Sequence, residues 1–158
     1  KIDAGYGTTI YQNGAVASSA GYIIDGQTTD APILGVLNGI FYNAATTLKP
    51  TFANFYKTPI TPANSEDIDA FVFDNPQQQY VVAIDAALAQ SGYLETYDMN
   101  ASAGSDTTGR SSSTLDHDDT SADAASFRLL RSAEDPENDE NAAFRSVVVC
   151  INLIELQS

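Results

Sequence analysis

Basic residues are scarce in this chain: 7 Lys and Arg stand against 21 Asp and Glu over 158 residues, a formal net charge of −14. Gripping nucleic acid takes a Lys/Arg stripe that displaces counterions from phosphates. Lys1, Lys49, Lys57, Arg110, Arg128, Arg131 and Arg145 are too few and too scattered to make one. The same shortage argues against docking on an anionic membrane surface. Cysteine is rarer still. Cys150 has no second cysteine for an intramolecular disulfide or a multi-cysteine zinc site. In the apolar run 147–151 it is expected to be a small buried hydrophobe, because a reactive thiol needs an electropositive, partly exposed setting. Long hydrophobic runs are missing too. Nothing approaches the roughly 20 apolar residues of a membrane-spanning helix, and residues 1–5 hold no apolar signal-peptide core.

Histidine is limited to His117, which restricts the chemistry open to the chain. A nucleophilic triad needs a histidine beside a Ser or Cys and a carboxylate to orient it. Ser111, Ser112, Ser113 and Asp116 are near His117 in sequence, but in a hydrophilic stretch with no strained Gly-x-Ser-x-Gly turn to present a nucleophile. His117 is expected to be a solvated loop residue. Asp116, Asp118 and Asp119 around it offer carboxylates to a divalent cation, and Asp135, Glu137 and Asp139 alternate like the start of a calcium loop. The second series puts Glu140 where an EF-hand needs Gly and Ser146 where it needs Glu. No metal and no cofactor are therefore assigned. Gly5-Tyr6-Gly7 is not a dinucleotide fingerprint, and Thr107-Thr108-Gly109-Arg110 has no Walker lysine. By elimination the chain reads as a non-enzyme.

The residues that are present point to strands. Asn13-Gly14, Asp25-Gly26 and Asn38-Gly39 are dipeptides that close tight turns, and six scattered prolines discourage long helices. Between these breaks lie runs rich in β-branched and aromatic residues, at 8–11, 21–24, 33–42, 51–56, 68–73, 79–84, 127–130 and 146–156. Such spacing predicts an all-β antiparallel sandwich or barrel. Phe71 and Phe73 alternate onto one face of their run, and residues 147–154 are apolar on both faces, as in a central buried strand. The 8 Tyr and 7 Phe are spread through these runs, which predicts core packing rather than a stacking platform. One short helical turn is expected around residues 85–90, with Asp85 as cap and Gly92 as stop. Residues 100–126 turn to Ser, Thr, Ala, Gly and Asp and read as a long polar loop, as does the acidic insert 133–141.

Several segments taken together resemble a known family. They are Gly21-Tyr22-Ile23-Ile24-Asp25, the run from Ile33-Leu34-Gly35 through Asn38-Gly39-Ile40-Phe41-Tyr42, Asp69-Ala70-Phe71-Val72-Phe73-Asp74-Asn75-Pro76, Thr108-Gly109-Arg110-Ser111, Leu115-Asp116, and Phe127-Arg128-Leu129-Leu130 with the closing strand. Their order over residues 14–156 is similar to that of the small head proteins that decorate or cement the capsids of tailed bacteriophages. The family pattern has Asp-Asp-Pro where this chain has Asp74-Asn75-Pro76, which keeps a turn and removes a second carboxylate. The resemblance implies a jelly-roll-like or tulip-like domain at residues 21–158. It also implies many copies on the outer capsid surface of the virion. There the partner is the major capsid protein of an HK97-type shell, with self-association as a dimer or trimer. Residues 1–20 read as an arm or edge strand, with Tyr6, Ile10 and Tyr11 as expected capsid contacts. The alternative is a surface β-domain that binds a host receptor or glycan through residues 100–126.

Overall fold

Turn chemistry decides where the chain first reverses. In the computed structural model, which describes residues 1–27, 32–102, 104–118, 126–139 and 141–152, that reversal falls at Ala20-Gly21. Both residues have positive φ (51° and 86°), as a two-residue turn matched to strand twist requires. It joins β1 (Ala15–Ser19) to β2 (Tyr22–Asp25) with Ser19 opposite Tyr22. With β3 (Gly35–Asn43), β4 (Pro50–Ala53) and β5 (Asp69–Phe73) they form a five-stranded antiparallel sheet in the order β2-β1-β3-β4. The β5 register overlaps the β3 residues used by β1 and β4, so β5 lies along the opposite edge of β3.

The second sheet has the order β6-β11-β10-β7, from β6 (Gln79–Ala83), β7 (Thr96–Tyr97), β10 (Phe127–Ser132) and β11 (Ser146–Ile151). A small third pair joins β8 (Met99–Asn100) to β9 (Thr114–Leu115). The chain is thus all-β and antiparallel, as expected, and its sheets form an open sandwich rather than a closed barrel. Two apolar clusters form, and the one on the second sheet also takes in Ala15 of β1. Leu37, Ile40, Val16, Ile23 and Ile68 pack on one face of the first, and Val147, Val149, Leu129, Phe127 and Tyr97 on one face of the second. β11 is internal in its sheet and buried on both faces at Val147, Val148 and Val149. Residues 153–156 of its expected span lie outside the described residues.

Four expectations need correction. Asn38-Gly39 closes no turn; it sits inside β3, where the register against β5 slips between Leu37 and Gly39. This bulge re-phases the strand, so Leu37 and Ile40, three positions apart, both enter the core. The helical turn at 85–90 does not form, and only a short 3-10 turn at Gln90–Gly92 is present. Six residues cannot offset the cost of helix nucleation, and the Asp85 carboxylate is engaged by the His117 N–H and the Asn100 amide. Residues 1–20 do not stand off as an arm. Ile2 and Ile10 are buried and bridge Ile68 and Tyr56, while β1 lies between β2 and β3. Cys150 is half-buried rather than buried. Within residues 100–126 the chain is partly ordered by β9 and by the close of β8 at Asn100, and positions 103 and 119–125 fall outside the described residues.

Candidate interaction surface

Alternation along β5 sends Ala70 and Val72 into the first core and leaves Phe71 and Phe73 on the opposite face, 47% and 49% exposed. On β4 the neighbouring Ala53 packs on the core, and Phe52 stands outward at 73% exposure. Pairing places Phe41 of β3 opposite Phe52. Their ring centroids are 4.7 Å apart at a tilt of 44°, and Phe52 meets Phe71 at 6.3 Å and 20°. Both distances fall in the range of favourable aromatic pairs. β4 and β5 are separated by β3, about two strand spacings of some 4.8 Å each, so these last rings must lean across the middle strand. Gly39, in register with Phe71, offers no side chain to block them. The row ends beside Asp69, which is ion-paired with Lys1 at 3.0 Å.

This arrangement corrects the expectation that the aromatics serve core packing alone. Residues 41, 52 and 71 are far apart in sequence, and only the β4-β3-β5 pairing gathers them. Large contiguous apolar faces on folded domains are commonly sites of protein, membrane or ligand contact. Aromatic side chains are also the usual anchors of protein interfaces.

Tyr6, Ile10 and Tyr11 are each tied into their own domain. The Tyr6 hydroxyl accepts a hydrogen bond from the Asp25 N–H (2.8 Å), and its carbonyl accepts one from the Tyr56 hydroxyl (2.5 Å). Ile10 is 0% exposed. The Tyr11 ring stacks on Phe55 with centroids 5.7 Å apart, and its hydroxyl donates to Asp106 at 2.8 Å. All three hold the N-terminal segment on its own domain. Ile10→Ala is accordingly expected to cost about 2–5 kcal/mol of folding stability, read by urea unfolding; a loss under about 1 kcal/mol would show the site is not core.

Asp106 also takes Lys57 at 2.9 Å. The hydrogen bonds from Lys57 and then Tyr11 hold its carboxyl below the usual 3.8. The bond to Asp106, followed by burial and the Asp106 charge, raises the Tyr11 phenol above its usual 10.0. A lowered carboxylate adds stability above its unfolded pKa and loses it as pH falls through the folded value. A raised phenol adds stability below its unfolded pKa and loses it as pH rises through the folded value. The clamp is therefore complete between about pH 4 and 10 and opens outside that window. Asp106→Asn is expected to bring the Tyr11 titration, followed by NMR of its ring carbons, down toward 10.0. An unmoved midpoint would remove Asp106 as the cause.

The remaining candidates stay apart. The His117 ring is paired with Asp118 at 3.1 Å, while the Ser111 and Ser113 hydroxyls donate to Gln27. Among the described residues no three His, Cys, Asp or Glu side chains gather as a metal-binding group, and no helix is long and apolar enough to cross a membrane. Asp119 and Glu140 lie outside the described residues. Asp74-Asn75-Pro76 does form a turn: the Asn75 side chain accepts from the Gln77 N–H at 3.0 Å. No family model, curated protein or solved structure matches this chain.

Proposed function

We propose that this chain is a non-catalytic structural protein of a tailed-phage virion. In this reading it docks on the outer surface of an HK97-type shell and links neighbouring major capsid subunits. The observation that carries the reading is the exposed row Phe52, Phe71 and Phe73, backed by the half-buried Phe41, on one sheet face of a strongly acidic domain. The order of segments that resembles head-decorating proteins supports it, and so does the charge. At −14 the domain is repelled by packaged DNA and suited to the outside of the particle.

The mechanism is multivalent clamping. A copy seated across two subunits makes separation break its contacts together, and binding to the assembled shell alone stabilises that shell by mass action. Association as a dimer or trimer on the shell multiplies the effect. The test is reconstitution on shells purified without this chain. Binding at a fixed ratio to the shell subunit, with later rupture on heating, is expected. A chain that stays in the supernatant, or that binds host cells or glycans instead of shells, overturns the reading.

A further inference from the structure

The phenylalanine row runs into charge at one end. Register puts Phe41 opposite Asp69, so the Asp69 carboxylate leaves the sheet on the same face as Phe71 and Phe73. Just before β5 the chain makes a short 3-10 turn, Ala63–Ser65, with Asn64 and Ser65 at positive φ (57° and 56°). That turn brings Glu66 and Asp67 to the same end of the sheet. The three carboxylates, Phe41 and Lys1 line one pocket of about 240 Å³. Phe41, whose ring meets Phe52, is thus shared by the row and the pocket. The volume falls below the roughly 300–1,000 Å³ of a small-molecule site and suits a single inserted side chain.

Charge says which side chain. Lys1 is the one basic residue lining the pocket, and its ion pair with Asp69 is about half exposed on both sides. Asp69 foremost, then Asp67 and Glu66, hold its ammonium above the usual 10.5, so three carboxylates converge on one cation. Asp67 also accepts the Tyr22 hydroxyl at 3.3 Å, which holds it without neutralising it. No lysine or arginine lies on β3, β4 or β5. A guanidinium entering here meets carboxylates and an aromatic ring, both of which attract it.

We propose that a partner protein covers this face by setting an arginine into the pocket and laying apolar side chains on Phe52, Phe71 and Phe73. The proposal rests on the docking reading and names what the shell subunit must present, an apolar patch with an arginine at one end. The rings supply the contact area, and the charge fixes the orientation and rejects acidic surfaces. The stretches of this chain outside the described residues bring Asp30, Asp119, Asp123, Glu140 and Glu155 but no lysine or arginine, so they cannot supply the cation. A second copy fits badly too. Two-fold pairing of the face on itself sets these acids against each other or against Asp74, which follows Phe73 at the far end.

The first test needs no shell. The full chain is titrated with a short capped peptide of alternating leucine and threonine that ends in two arginines, and the ring resonances of Phe41, Phe52 and Phe71 are followed by NMR. Saturable shifts are expected. The same peptide ending in two glutamates is expected to bind at least about tenfold more weakly. That gap should close in about 1 M salt, where the screening length falls to about 3 Å. Lys1→Gln removes the competing cation and is expected to tighten the arginine peptide about threefold, while Glu66→Lys weakens it about tenfold. Both positions are exposed, so both variants should melt close to wild type. A merely structural ion pair would not move the two affinities in opposite directions. Equal affinity for the two peptides overturns the proposal, and so does an absence of shifts at saturating arginine peptide. Ring shifts that grow with protein concentration and no peptide overturn it as well, since the occupant is then a second copy. If wild type and both variants bind shells within about twofold of one another, the arginine pocket is overturned and shell docking stands. If the arginine peptide is preferred but shells are ignored, docking fails and the pocket stands.

Discussion

Serine at both Phe52 and Phe71 is expected to weaken the proposed binding to the shell by about a thousandfold while leaving the domain folded. The two rings are exposed and face away from the core beneath them. Truncating a central aromatic anchor costs about 2 kcal/mol or more. Two of them approach 4 kcal/mol, and each 1.4 kcal/mol is about a factor of ten. The folded domain loses much less, chiefly the ring contacts of Phe52 with Phe41 and Phe71, worth about 0.5–1.5 kcal/mol apiece. Sedimentation with shells gives the affinity and thermal unfolding gives the fold. Binding within about threefold of wild type by a folded double variant would mean that the aromatic face is not the interface.

Gly35→Ala acts on folding and is expected to be the most damaging single methyl in the chain. A Cβ there would lie 2.2 Å from the Phe73 carbonyl oxygen, 2.8 Å from Val72 Cγ1 and 2.9 Å from the Phe73 carbonyl carbon. Two of the three are backbone atoms, which a rotamer change cannot move. β3 and β5 must part at the Phe73 end of their ladder. Overpacking costs about 1–3 kcal/mol and sometimes more, and contact with backbone sets this case at about 3 kcal/mol or beyond. For a chain of this length that is roughly 6–12 °C in Tm. Gly7→Ala, whose Cβ would meet nothing within 4 Å, is the control and should shift little. A Gly35→Ala protein melting within a degree of wild type would contradict the packing.

Strands rich in Val, Ile and Phe were legible because β-branched and aromatic residues fit a pleated, half-buried surface. β2, β5, β6 and β11 fall close to the runs read from composition. β1 was not legible. Ala15-Val16-Ala17-Ser18-Ser19 has small side chains, and its burial comes from its neighbours β2 and β3 rather than from its own pattern. β7, β8 and β9 have two residues each and no periodicity to read. The alternation of Phe71 and Phe73 was visible, but which face meets the core was not. Hydrophobicity points to the phenylalanines, while the register of β5 beside β3 turns Ala70 and Val72 to the core. The candidate surface was therefore hidden in the sequence. Its rings are assembled by pairing across strands, which only the sheet order defines.

The acidic excess acquires a second meaning beside that uncovered face. Free copies bearing −14 repel one another over about 10 Å at moderate salt, a range longer than the reach of ring-to-ring contact. The charge thus works as colloidal protection. It keeps a cohesive surface from finding its own kind in dilute suspension, and concentrated salt withdraws that protection before it touches the fold.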